Sequence, residues 1–148
     1  MSPATFGDAN VPIYAAGRAH PLKEPCVQVL LLAAEHPQAF VTDAEVLQEL
    51  IHRYLALRLW PQGRGAFHRF SDILRERVEA VQAVDVQHAA GLADTHPELG
   101  ARDLLHVAVM HRLGVRRIIS AVIGFDRLPE IERLDPAQEP GWRHLVLS

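Results

Sequence analysis

The chain has 148 residues, 49% hydrophobic and 22% charged, the balance expected of one globular domain with its own core. A net charge of -3 excludes a general pull toward nucleic acid or anionic membrane, so any such site must come from local charge. The single cysteine, Cys26, excludes an internal disulfide and a thiolate metal cluster, and fits a reducing, cytoplasmic setting. The longest apolar run, 27–34, is interrupted by Gln28 and too short to span a bilayer. No basic-then-apolar leader is visible at the start.

Residues 4–9 predict a weak strand ending in Asp8-Ala-Asn10, and Pro12 then allows a turn or the first turn of a helix. Residues 21–35 predict a helix, with Val27, Leu30, Leu31 and Ala34 at helical spacing and Pro37 as its stop. Residues 39–41 predict a second strand. Thr42 is the expected N-cap of the next helix, Glu45 completes a capping box, and Glu49 lies among Val46, Leu47, Leu50, Ile51 and Tyr54. The run 61–65, with one proline and two glycines, reads as a break before a further helix over 66–77, so that 52–79 forms a helical hairpin. Residues 78–84 predict a third strand, with Asp85 capping a helix that ends near His96-Pro97.

The stretch 99–126 is the most strongly organised. Asp103 opens an apolar helix, Gly114 stops it, and 115–120 is a β-branched strand. Residues 129–148 hold Pro129, Pro136 and Pro140 and read mostly as loop with one short edge strand. Strands alternating with helices predict a three-layer α/β domain over 1–148, with a central, mainly parallel sheet flanked by helices.

Ligands in such folds gather beyond the carboxyl ends of the strands. Asp8 follows the first strand, Glu49 lies two turns into the helix after the second, and Asp103 opens the helix before the fourth. Converging carboxylates repel, which raises their pKa values or calls for a cation. Oxygen-only donors suit Mg²⁺ or Mn²⁺, and such an ion activates a water against a phosphodiester. Each acid also has a plainer reading. Asp8 can be a turn residue, Glu49 an exposed partner of Arg53 at i+4, and Asp103 a charge at a helix N-terminus.

The segments Asp8-Ala-Asn10-Val-Pro-Ile-Tyr14, Thr42-Asp-Ala-Glu-Val-Leu-Gln-Glu49, Ala101-Arg-Asp103-Leu-Leu-His106 and Ser120 through Gly124-Phe125-Asp126, in this order, resemble the PIN domain, and within it the VapC-type toxins of bacterial toxin–antitoxin pairs. The resemblance implies a metal-dependent endoribonuclease, acting on RNA with tRNA and rRNA as candidate classes. It also implies a cognate antitoxin and a homodimer. Asp8, Glu49 and Asp103 would be its catalytic, metal-holding acids, and Asn10, Thr42 and Ser120 supporting polar groups. One position departs from the family: Val122 stands where a fourth acid is usual, three residues before the Phe125-Asp126 pair. Valine binds no cation, so activity is expected to be weakened there. The alternative is an inactive PIN domain that only binds RNA or antitoxin.

A minor rival comes from Glu49-Leu-Ile-His52, Asp103-Leu-Leu-His106 and Asp85-Val-Gln-His88, which set acid and imidazole one helical turn apart, as in oxidative carboxylate/His metal sites. The strand-like segments argue against a helical bundle, and His106 reads instead as a partly buried helix residue with a hydrogen-bond partner. Over 52–79 six arginines face three acids, and Tyr54, Trp60, Phe67 and Phe70 are interleaved. That pattern suits an RNA surface or, equally, a solvated hairpin with an aromatic core.

Overall fold

The structure is a computed structural model and describes residues 4–148. Five short strands form the sheet: β1 (Thr5–Gly7), β2 (Phe40–Asp43), β3 (Val78–Glu79), β4 (Arg117–Ile119) and β5 (Glu132–Leu134). Every pairing is parallel, in the order β3-β2-β1-β4-β5. Phe6 lies opposite Val41 on one side and Ile118 on the other, and all three are buried, as strands covered on both faces require. The order runs outward from β1 through β2 to β3, then reverses to β4. The reversal lies between β1 and β4, where a crevice opens at the carboxyl ends.

Among the described residues seven α-helices flank the sheet: α1 (Asn10–Ala16), α2 (Lys23–Glu35), α3 (Ala44–Ala56), α4 (Trp60–Ile73), α5 (Ala83–Thr95), α6 (Ala101–Leu113) and α7 (Glu139–Leu147). α1 packs on α2 and α4, α3 on α4, and α5 on α6. Phe6, Phe40, Phe125, Leu50, Met110 and Ile118 are among the largest wholly buried side chains. Cys26 is buried with them, and burial pushes its thiol up to about 12, so it carries no thiolate at neutral pH.

Several local expectations are corrected. Asp43, not Thr42, caps α3: its Oδ1 accepts from the Val46 amide at 2.9 Å, while Thr42 belongs to β2. The run 61–65 does not break the chain, because Pro61 sits in the first turn of α4, where its missing N–H costs nothing. Gly63 is there for close packing, since a Cβ would lie 2.0 Å from Tyr54 Cγ. Gln82, not Asp85, caps α5, with Asp85 returning the bond from the third helical position. The third strand is only two residues long. The tail is not mostly loop: after the predicted edge strand, β5, it forms α7, again with a proline in the first turn. Gly114 stops α6 as expected, with φ of 71°.

Candidate metal centre

Three strands end at one place. Asp8 follows β1 directly, Thr42 and Asp43 close β2, and Ser120 follows β4. The Asp8 amide donates to the Ile119 carbonyl at 3.1 Å, so the ends of β1 and β4 are tied together at the crevice. Glu49 reaches it from the second turn of α3, and Asp103 and His106 from the first two turns of α6.

Asp8 is buried and held from several sides. Its Oδ1 accepts from the Ala9 amide at 2.8 Å; its Oδ2 accepts from Ser120 Oγ at 2.6 Å and Asn10 Nδ2 at 3.1 Å. Ser120 Oγ also accepts from Asn10 Nδ2 and from the Val122 amide, each at 3.0 Å, and Asn10 Oδ1 takes the Ala121 amide at 3.1 Å. Asn10 and Ser120 therefore orient the carboxylate. Thr42 does not: its hydroxyl donates to the Gly7 carbonyl at 2.9 Å and joins β2 to β1. Asp126 belongs to the frame. Arg133 grips both its oxygens, at 3.0 and 3.1 Å, and donates to the Ser120 carbonyl at 3.0 Å.

Sequence reasoning missed the pair beneath the acids. His106 is wholly buried rather than partly so, and its Nδ1 lies 2.8 Å from Asp43 Oδ2. Its Nε2 lies 3.6 Å from Glu49 Oε1 and 3.9 Å from Asp8 Oδ1. Among the described residues neither Glu49 Oε1 nor His106 Nε2 has a hydrogen-bond partner. The signal was present in Asp103-Leu-Leu-His106, where i,i+3 spacing turns both side chains toward one neighbour. Nothing in the sequence says that Asp43, besides capping α3, reaches across to α6.

The electrostatics follow from this geometry. Burial raises the Asp8 carboxyl above its ordinary range, against the pull of His106 and the Ser120 hydroxyl, and Glu49 raises it further. Burial, then Asp8, push Asp103 up to about 6, with His106 opposing and Glu49 adding. Burial works against a charge on His106, but the hydrogen bond to Asp43 and the nearby Glu49 and Asp8 carboxylates outweigh it and carry the imidazole up to about 10. One imidazole thus faces four carboxyl groups, Asp8, Asp43, Glu49 and Asp103, and the centre is rich in acids. Asp8, Glu49 and His106 each present an atom within 4.8 Å of the others, a spacing one small cation can bridge. Asp103 is not in that closest group, but is near enough to be raised by both Asp8 and Glu49.

This arrangement on this sheet order has relatives. A sequence profile for the PIN domain matches residues 6–131. The chain belongs to the PIN-domain family. Ribonuclease VapC13 of Mycobacterium tuberculosis is 39% identical to it over 127 residues, 86% of this chain and 96% of the relative. Ribonuclease VapC23 of the same species is 44% identical over 116 residues, 76% of this chain and 88% of the relative. This PIN domain is thus of the VapC type. Among solved structures, a VapBC2 complex from Rickettsia felis bound to a promoter DNA fragment superposes with a TM-score of 0.68 at 18% identity, covering 89% of this chain and 99% of that one. A toxin–antitoxin complex from Klebsiella pneumoniae gives 0.62 at 15% identity, covering 90% and 98%. At such identities these two speak for the fold, including its wholly parallel sheet. Among the described residues no helix is long and apolar enough to cross a membrane.

Proposed function

We propose that this PIN domain is a metal-dependent endoribonuclease toxin, with Asp8, Glu49 and Asp103 holding Mg²⁺ or Mn²⁺. The observation that carries the reading is the acid-rich centre at the carboxyl ends of β1 and β2, where Glu49 Oε1 is buried without a hydrogen-bond partner among the described residues and Asp8 and Asp103 both have raised pKa values. Hard oxygen donors of this kind suit either ion. When bound, such an ion neutralises charge on a phosphodiester and lowers the pKa of a coordinated water.

The protein's own groups do the positioning. Ser120 and Asn10 fix the Asp8 carboxylate through the 2.6 and 3.1 Å bonds, and Thr42 supports it indirectly by holding β2 against β1. Asp43 fixes the His106 ring, whose Nε2 sets a positive charge between Asp8 and Glu49. The three-atom grouping of Asp8, Glu49 and His106 could also be read as a mixed oxygen and nitrogen ligand set. We favour a charge partner in the metal-free protein, because Asp43 lies 2.8 Å from one ring nitrogen and Glu49 and Asp8 lie 3.6 and 3.9 Å from the other, so that carboxylates on both sides favour the protonated ring.

Val122 leaves the centre with fewer acids than the family's usual complement, and its amide anchors to Ser120 instead. The proposed activity is accordingly a weakened one; loss of cleavage with RNA or antitoxin binding retained is the alternative. The relatives named as ribonucleases support RNA as the substrate, and the complexes above support a cognate antitoxin partner. An apolar cavity of about 260 Å³ between α1, α2 and α4, lined by Pro12, Ala15, Leu30, Leu31, Ala66 and Ile73, offers such a partner a seat. A homodimer acting in the cytoplasm completes the proposal.

The test is incubation of pooled total RNA with Mn²⁺, Mg²⁺ or EDTA, beside Asp8→Asn. Cleavage that needs the ion and disappears in Asp8→Asn is the expected result. No cleavage under any condition would overturn the enzymatic reading in favour of the binding module.

A further inference from the structure

We infer that a trough running from Glu49 past Arg53 to Tyr14 and His20 is the seat of the single-stranded RNA beside the cut, with Arg53 on a neighbouring phosphate and the Tyr14–His20 pair under a base. The inference rests on the ribonuclease reading above and adds the residues that hold the strand beside the cut.

Two cavities carry it. One, of about 310 Å³, is lined by Glu49, His52, Arg53, Leu57 and Arg102 and so begins at the acidic centre. The other, of about 660 Å³, has Tyr14, Arg18, His20 and Tyr54 in its walls. They share Arg53 and Leu57 in their walls, which sets them side by side along α3. Glu49 and Arg53 are i,i+4 on α3, on one face and ~6 Å apart along the axis. That rise is comparable to the distance between successive phosphates of an extended strand. Arg53 thus stands one helical turn beyond Glu49 in the wall of the same cavity, on the path of a strand that leaves the acidic centre.

Charge and exposure fit this use. Arg53 and Arg18 are exposed, and neither makes an ion pair or side-chain hydrogen bond among the described residues; the i,i+4 pairing of Arg53 with Glu49 does not form. Arg102, in the same wall, is engaged by Glu45 at 3.5 Å. Free guanidinium groups beside an acidic cluster are placed to hold an anion that the cluster alone would repel. At the far end the Tyr14 and His20 rings lie 4.7 Å apart, tilted by 34°, with His20 exposed. His20 is fixed as well, since its Nδ1 accepts from the Leu22 amide at 3.0 Å. Basic grooves with such ring platforms bind single strands, because the bases of a duplex are already stacked on one another.

The experiment is a fluorescence-anisotropy titration of a labelled, unstructured RNA 12-mer against the full chain in EDTA, repeated over a range of salt. A parallel assay scores cleavage of the same RNA with Mn²⁺. Arg53→Ala is expected to weaken binding about tenfold and to make the salt dependence shallower by ~0.7, the contribution of one single-strand phosphate. Arg53→Lys should restore the slope. Tyr14→Leu, which keeps bulk but removes the ring, should weaken binding with the slope unchanged, and Tyr14→Phe should bind as the parent does. If the parent cleaves with Mn²⁺ while Arg53→Ala and Tyr14→Leu bind normally, the trough is overturned and the ribonuclease reading stands. A parent that neither binds nor cleaves overturns both. Equal affinity for a base-paired 12-mer overturns the single-strand assignment.

Discussion

Asp103 shows how far a single residue's environment can be read into behaviour. Its folded-state pKa is raised to about 6, above the ordinary aspartate range near 4, so ionising it costs the folded state free energy. That cost is absent below pH ~4 and complete above the folded value. Asparagine mimics the protonated acid. In metal-free protein the thermal stability of Asp103→Asn relative to wild type should therefore rise between pH 4 and 7 and be flat below 4; a constant difference would show that Asp103 is not raised. By the same linkage, affinity for Mn²⁺ should fall as pH drops through about 6, with proton release visible by calorimetry in buffers of different ionisation enthalpy. Val122 gives a complementary test. Val122→Asp should increase Mn²⁺-dependent cleavage if a missing acid limits the centre, and no increase with ion binding intact would place the limit elsewhere.

Elements meet in this fold through side chains that do two jobs. Asp43 caps α3 with one oxygen and holds His106 of α6 with the other. Asp43→Ala removes the cap and leaves a buried imidazole without its partner, at a cost of about 3 kcal/mol or more. For a chain of this size that lowers Tm by ~10 °C. Asp43→Asn, which retains an acceptor for the cap, should lose less; equal losses would mean that the cap contributes little. The α3–α4 hairpin depends on Gly63, against which the Tyr54 ring is pressed. Gly63→Ala must push the helices apart and should cost about 2 kcal/mol, measured by denaturant unfolding. The break expected over 61–65 failed for a physical reason. Proline is harmless in a helix's first turn, and a glycine facing another helix can be selected for proximity rather than flexibility.

At the scale of the whole molecule, the sheet order places the carboxyl ends of β1, β2 and β4 side by side, and the centre takes residues from these ends, from α3 after β2 and from α6 before β4. A site built from so many elements couples ion binding to global stability. Mn²⁺ at a hundredfold excess over its Kd should add ~2.7 kcal/mol, a rise in Tm of several degrees that Asp8→Asn abolishes. An unchanged Tm would count against an ion at this place.

By itself the sequence determined the alternation of strand and helix, the stop at Gly114 and the parallel α/β class, and it named Asp8, Glu49 and Asp103 as candidate acids, because hydrophobic period, glycine conformation and motif order are local properties. Only the tertiary structure decided which of those groups touch. Ser120 meets Asp8 and Asn10 because β1 and β4 are neighbours, though 110 residues separate Asn10 from Ser120. Thr42 turns to a carbonyl because parallel pairing sets β2 beside Gly7. His106 and Asp43, the pair that holds positive charge beneath the acids, lie 63 residues apart. Such pairings depend on the three-dimensional approach of α6 to the end of β2, and no local pattern in either segment encodes that approach.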